Sequence, residues 1–307
     1  MQHDVIVIGG SYSGMAATLQ LLRARRTVLV IDAGERRNRF ARHAHGVLGH
    51  DGEPPDELAA NARRQLEAYA TLTWVEGRVD AVAGQVDDFI VTTTAGLSFR
   101  GRRVLLASGV TDRLPAVEGL AERWGRTVFH CPYCHGYELG QGRIGIVGAS
   151  PMSIHQAELL TDWGDVTLLV NGAMDLDHEA RSGLERRGVA IEDTPIDRIE
   201  GSADVVMADG RRLRFAGLFT ATHTSPSGAL AETMGCALEE TPFGVQICVD
   251  AEARTSVAGV FACGDVARAP HSISLAIGGG ALAGAQVHRS LLWPGTIASA
   301  QADSGVR

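Results

Sequence analysis

Apolar positions follow two rhythms along the chain. Short apolar runs rich in β-branched residues occupy 5–8, 28–31, 104–106, 143–147, 166–170 and 245–249. Runs this short and uniform predict strands buried on both faces, as in a parallel sheet. At 15–25 and 154–163 the spacing changes to that of an amphipathic helix, and Gly164 closes the second. A longer apolar stretch, 273–287, also predicts a helix. Its four glycines suit a tight protein interior better than a membrane. One local order occurs twice: strand, glycine-rich turn, helix, strand. Two such βαβ units predict an α/β protein with two parallel-sheet domains.

The turns supply the boundaries. Ala107-Ser108-Gly109 ends one strand and Pro115 follows it, while Thr241-Pro242-Phe243-Gly244 precedes another. The expected organisation is two Rossmann-like domains, the second (114–243) inserted into the first (1–113 and 244–293), with 294–307 as a flexible tail. A length of 307 residues agrees with two domains. With 28 Lys and Arg against 36 Asp and Glu, the formal charge is −8. This acidity argues against nucleic-acid or anionic-membrane partners, which need a basic surface. The 37 glycines signal many tight turns and close backbone approaches. Asp4 interrupts the start of the chain, so no signal peptide is expected, no membrane span is expected either, and a cytoplasmic place follows. Five cysteines, three of them scattered, do not form a disulfide scaffold.

The first turn reads Gly9-Gly10-Ser11-Tyr12-Ser13-Gly14. In a dinucleotide-binding turn the glycines let backbone approach a pyrophosphate, and the helix N-terminus offers free N–H groups and a positive dipole end. An acidic residue about 20 positions on takes the ribose hydroxyls; Asp32 stands there. Ser11 replaces the middle glycine, with Gly10 beside it to preserve the approach. Farther on, 255–266 (TSVAGVFACGDV) resembles the C-terminal flavin motif of flavoproteins with two dinucleotide domains. That resemblance implies FAD, with Gly264 and Asp265 at its ribityl chain and Ala107, Ser108 and Gly109 in the family's Ala-Thr-Gly turn.

Cys131-Pro132-Tyr133-Cys134-His135 is the chemical centre. Two thiols at this spacing close a disulfide with little movement, and a helix starting there lowers a thiol pKa. Rival readings are haem attachment, which lacks an export signal, structural zinc, which lacks a second CxxC, and a plain buried pair. No metal site is expected; a loop with His43, His45 and His50 is only a weak metal candidate.

From residue 4 to about 292 the chain resembles the low-molecular-weight thioredoxin reductases. The resemblance implies a homodimer and a CxxC in the inserted domain that faces the flavin after a domain rotation. It also implies Cys134 on the flavin side and Cys131 exchanging with substrate. It extends the flavin-contact candidates to His45 in the loop that reaches the flavin, and to Ser274-Leu275-Ala276, which replace an Arg-Gln-Ala before the last helix; the run Arg36-Arg37-Asn38-Arg39 after Asp32 is either a contact to FAD phosphate or ribose, with Asn38 a candidate, or a solvated charge run. His135 stands where reductases place Asp, and 131–138 (CPYCHGYE) more closely resembles a subgroup of dithiol oxidases that pass electrons from FAD to oxygen. His130 and His135 are then candidate proton acceptors, since imidazole titrates near neutrality.

The second turn, Gly148-Ala149-Ser150-Pro151, suits NADPH poorly. Asn171 occupies the acidic position, and 170–177 (VNGAMDLD) holds no Arg or Lys for a 2′-phosphate. NADH is left open, because Asn171 can bond a ribose hydroxyl. Three functions remain: an FAD-dependent dithiol oxidase, an NAD(P)H-dependent disulfide reductase, and a non-catalytic flavin redox sensor. The partner is a small dithiol or disulfide, or a thioredoxin-like protein.

Overall fold

The computed structural model describes residues 2–296. Strand β1 (Gln2–Ile8), α1 (Tyr12–Arg23), β2 (Val28–Asp32), α2 (Pro55–Glu67) and β3 (Leu72–Glu76) lead into β4 (Val79–Gln85), β5 (Asp88–Thr93), β6 (Ser98–Leu106) and β7 (Val110–Arg113). Next come β8 (Val128–Phe129), α3 (Pro132–His135), β9 (Arg143–Val147), α4 (Met152–Leu159), β10 (Asp165–Leu169), α5 (His178–Arg186) and β11 (Ala190–Glu192). A meander of β12 (Ile196–Glu200), β13 (Asp204–Met207) and β14 (Arg212–Arg214) precedes β15 (Gly217–Phe219). The chain closes through β16 (His223–Pro226), α6 (Leu230–Thr233), β17 (Leu238–Thr241), β18 (Gly244–Ile247), β19 (Val260–Ala262) and α7 (Ile273–Leu292). Pro294–Thr296 forms a short 3₁₀ turn, and the rest of the expected tail lies outside the described residues.

Two compact units result. One contains the chain up to 37, 56–111 and 224 onward; the other contains 38–55 and 112–223. Relative to the boundaries expected from the turns, 38–55, 112–113 and 224–243 change sides. The first segment is held by His45, whose Nε2 lies 3.5 Å from Glu138. In the last, the Thr224 N–H donates to the Phe243 carbonyl (2.9 Å) beside β18.

In the first unit β3-β2-β1-β6 run parallel, β19 adds to β6 in parallel, and β5 and β4 extend the sheet antiparallel. Val5, Ile6 and Val7 are fully buried, as an uninterrupted apolar run in a two-sided sheet requires. Helix α1 starts at Tyr12 rather than 15 and ends at Arg23; Arg25 then adopts a left-handed φ of 59°. The glycines of α7 have a packing cause. A Cβ on Gly280 would overlap the Ser13 carbonyl, and one on Gly284 would press on Ala17, so the two helices meet backbone to backbone. Arg103 on β6 is fully buried and bonds Ser290 Oγ and its carbonyl (both 3.0 Å) and Asp87 (2.9 Å), tying the sheet to the end of α7.

The second unit has a parallel sheet ordered β11-β10-β9-β15-β8. Its core is Ile144, Ile146, Leu168 and Phe219. Helix α4 stops at Leu159 and continues as a 3₁₀ turn, Leu160–Asp162. The pairing of Phe219 with Phe129 sets the ends of β15 and β8 side by side, so the glycine turn after β9 and the cysteine pair after β8 share one sheet edge. Among the described residues no helix is long and apolar enough to cross a membrane.

Candidate functional site

At the carboxyl edge of the first sheet several backbones converge. Gly9 leaves β1 at φ 104°, and a Cβ there would overlap the Ala107 carbonyl; one on Gly14 would overlap the Gly9 carbonyl. The Gly10 N–H donates to Asp32 Oδ1 (2.9 Å). The Cys263 N–H donates to the Leu106 carbonyl (3.0 Å), and Gly264, at φ 76°, abuts Ser13. Ala107, Ser108 and Gly109, Gly264 and Asp265, and the first turn are therefore one constellation. Asp265 pairs with Arg37 (3.3 Å), which also donates to His271 Nδ1 (2.8 Å). Ser274, Leu275 and Ala276 form the first turn of α7, where the Ser272 hydroxyl accepts from the Leu275 N–H (3.1 Å).

These residues fit a dinucleotide. Ser11, the N-cap of α1, makes no side-chain cap. A cavity of about 340 Å³ opens among Gly10, Asp32, Arg36, Arg63 and Trp74. The Trp74 Nε1 is buried there without a partner. Asp32 would hold ribose hydroxyls and the start of α1 a pyrophosphate, while Gly264-Asp265 would hold a ribityl chain.

The second unit holds the cysteines. Cys131 and Cys134 are joined in a disulfide with Cα atoms 5.4 Å apart, a usual separation for a bridged pair. Cys131 is the N-cap of α3 and Pro132 its first residue, where proline's missing N–H costs nothing. The His135 ring stacks on Phe129 (4.2 Å between centroids). Burial first, and the charge of His45 second, push its pKa down to about 4. The imidazole poised near neutrality that the sequence suggested is thus a neutral one, because desolvation opposes its charged form. His45 lies between Asp51 (3.6 Å) and Glu138 (3.5 Å). The Gly46 N–H donates to Asp51 (2.8 Å) and holds that carboxyl below its usual range. His130 packs near Trp124 (6.0 Å), and its carbonyl accepts from Gln156 Nε2 (2.8 Å). Tyr133 is 71% exposed and meets Trp163 edge-on.

The second glycine turn is closed from within. The fully buried Ser153 hydroxyl accepts from the N–H groups of Ala149 (3.1 Å) and Ser150 (3.5 Å). Asn171 sits at φ 53° and its Oδ1 accepts from the Ile196 N–H (2.9 Å). Asp177 caps α5 through the Ala180 N–H (2.8 Å). The groups that would face a pyrophosphate and a ribose are engaged inside the fold, so a nicotinamide dinucleotide fits poorly.

Of the sequence candidates, Gly9, Ser11, Ser13, Gly14, Asp32, the 107–109 turn, Gly264, Asp265 and 274–276 lie in the first unit. Cys131, Cys134, His130 and His135 lie in the second, and so do Asn38 and His45. Sequence reasoning missed Ser153, Gln156, Trp74 and the Arg37–His271 contact. Ser153 follows Ser150 at capping distance, a legible signal; Gln156 is an isolated polar residue with none.

Comparison with known proteins agrees with this arrangement. The family model described as pyridine nucleotide-disulphide oxidoreductase matches residues 3–280. The chain is 32% identical over 306 residues to thioredoxin reductase sirT of Leptosphaeria maculans, covering 93% of each. It is similar to the crystal structure of an oxidoreductase from Agrobacterium tumefaciens, with a TM-score of 0.93, 54% identity, and 96% and 100% of the two chains covered. It is also similar to the crystal structure of HlmI, with a TM-score of 0.87, 33% identity, and 95% and 93% covered. The chain belongs to the thioredoxin reductase-like pyridine nucleotide-disulphide oxidoreductases, an FAD-binding family of enzymes.

Proposed function

We propose that this chain is an FAD-dependent dithiol oxidase that makes little or no use of NADPH. The observation that carries the reading is the second turn, whose amides are taken by Ser153 and whose acidic position is an Asn171 bonded to Ile196. A phosphate would have to displace those internal bonds and would meet Asp175 and Asp177 rather than an arginine.

A thiolate of the substrate dithiol attacks Cys131 Sγ, the Cys131–Cys134 bond breaks, and Cys134 leaves as a thiolate. The second substrate thiol then attacks the sulfur bonded to Cys131. The substrate disulfide departs and both cysteines are left reduced. Burial disfavours a proton on His135, which leaves His130 as the candidate to take up thiol protons. FAD, which the first glycine turn, Asp32 and Gly264-Asp265 would hold, would supply a two-electron acceptor for the reduced pair, with oxygen as the final oxidant. The homodimer that the resemblance implies is supported by the exposed apolar positions Ile277, Leu282 and Leu292 along α7.

The test is anaerobic mixing of the FAD-loaded protein with a dithiol, with NADPH and with NADH while flavin absorbance is followed. Bleaching by dithiol alone is expected; rapid bleaching by NADPH refutes the oxidase. That second outcome would favour the reductase reading, which the names of the thioredoxin reductase relatives support.

A further inference from the structure

We infer that Gln156 is a positioning residue for the redox pair, and that α4 has become a strut for the disulfide. This rests on the reading that Cys131–Cys134 exchanges with thiols. Gln156 is 7% exposed and lies on the sheet-facing side of α4. Its Nε2 donates to the His130 carbonyl (2.8 Å), the peptide group that enters Cys131. Its Oε1 is buried with no partner. A leucine or methionine would fill this place without burying the unpartnered Oε1, at the loss of the donor to the His130 carbonyl. What the amide does there is hold one carbonyl beside the disulfide.

The same helix carries Ser153, one turn earlier, which locks the glycine turn through Ala149 and Ser150. Ser153 thus fixes α4 to β9 and Gln156 fixes it to the end of β8. The helix whose N-terminus would face a dinucleotide holds the cysteine loop in a disulfide-ready geometry instead. Such preorganisation acts as effective concentration between the two sulfurs. Releasing the His130 carbonyl lowers that concentration, makes the disulfide easier to reduce, and raises the midpoint potential.

The experiment equilibrates the FAD-loaded protein anaerobically in dithiothreitol redox buffers. Free thiols are trapped, and the 131–134 peptide is read by mass. Gln156→Met is expected to lower the equilibrium constant for disulfide formation about tenfold, which is about 30 mV for two electrons, with the melting temperature little changed. Gln156→Leu, which has no donor in any protonation state, is expected to shift the midpoint as far. Thr220→Val deletes another buried orphan hydroxyl, on the residue whose N–H donates to the Phe129 carbonyl (2.9 Å), and is expected to leave the midpoint in place. If Gln156→Met does not fold, Gln156→Ala removes the same bond without crowding. An unmoved midpoint in the Gln156 variants, or an equal shift in Thr220→Val, overturns the inference and leaves the proposed function standing. A wild-type pair that does not titrate overturns both.

Discussion

Replacing His135 by Phe should remove a specific part of the acid sensitivity of this protein. The imidazole is stacked on Phe129 and mostly desolvated, so its pKa falls from 6.5 to about 4, with the charge of His45 adding to the effect. Between those values the unfolded chain binds a proton that the native chain does not. Stability is therefore full above pH 6.5, falls as the pH drops toward 4, and loses nothing further from this group below that. At about 1.4 kcal/mol per pKa unit, the window is worth about 3 kcal/mol. A phenyl ring keeps the stack and does not titrate. The assay is urea unfolding of wild type and His135→Phe at pH 7, 5.5 and 4, compared as the difference between the two proteins. Other acid-labile groups, such as Glu192 with its pKa lowered to about 2 by Arg211, cancel in that difference. The difference should swing by about 3 kcal/mol in favour of the variant as the pH falls. Profiles that stay parallel within about 0.5 kcal/mol would refute the burial argument.

Cys131→Ser or Cys134→Ser should each abolish dithiol turnover while the protein stays yellow; turnover that survives both changes sinks the exchange mechanism. Gly10→Val drives its side chain into the Trp74 ring and Asp32, so flavin absorbance per protein should fall about tenfold or more, and full retention would contradict the placement of the nucleotide. Arg103→Met leaves the Ser290 carbonyl without its donor and should cost about 3 kcal/mol by urea midpoint, with the redox behaviour of the cysteine pair unchanged.

The local chemistry was legible in the sequence. Uniform apolar runs gave the central strands β1, β2, β6, β9 and β10 of the two parallel sheets, because burial on two faces leaves no polar alternation; the run at 245–249 instead became β18, which pairs antiparallel with β17 in a separate sheet. The CxxC and the glycine turns announced themselves, because each needs particular residues at neighbouring positions. Three things were decided only by folding. The loop 38–55 joins the cysteine-bearing unit through His45 and Glu138, residues far apart in the chain whose meeting no local pattern encodes. The protonation state of His135 depends on how much water the fold removes from its ring, which a sequence does not display. The internal partners of the second turn depend on where the Ser153 and Asn171 side chains point. Propensity and spacing act over a few residues, whereas desolvation and the final partner of a hydrogen-bonding atom belong to the packed molecule.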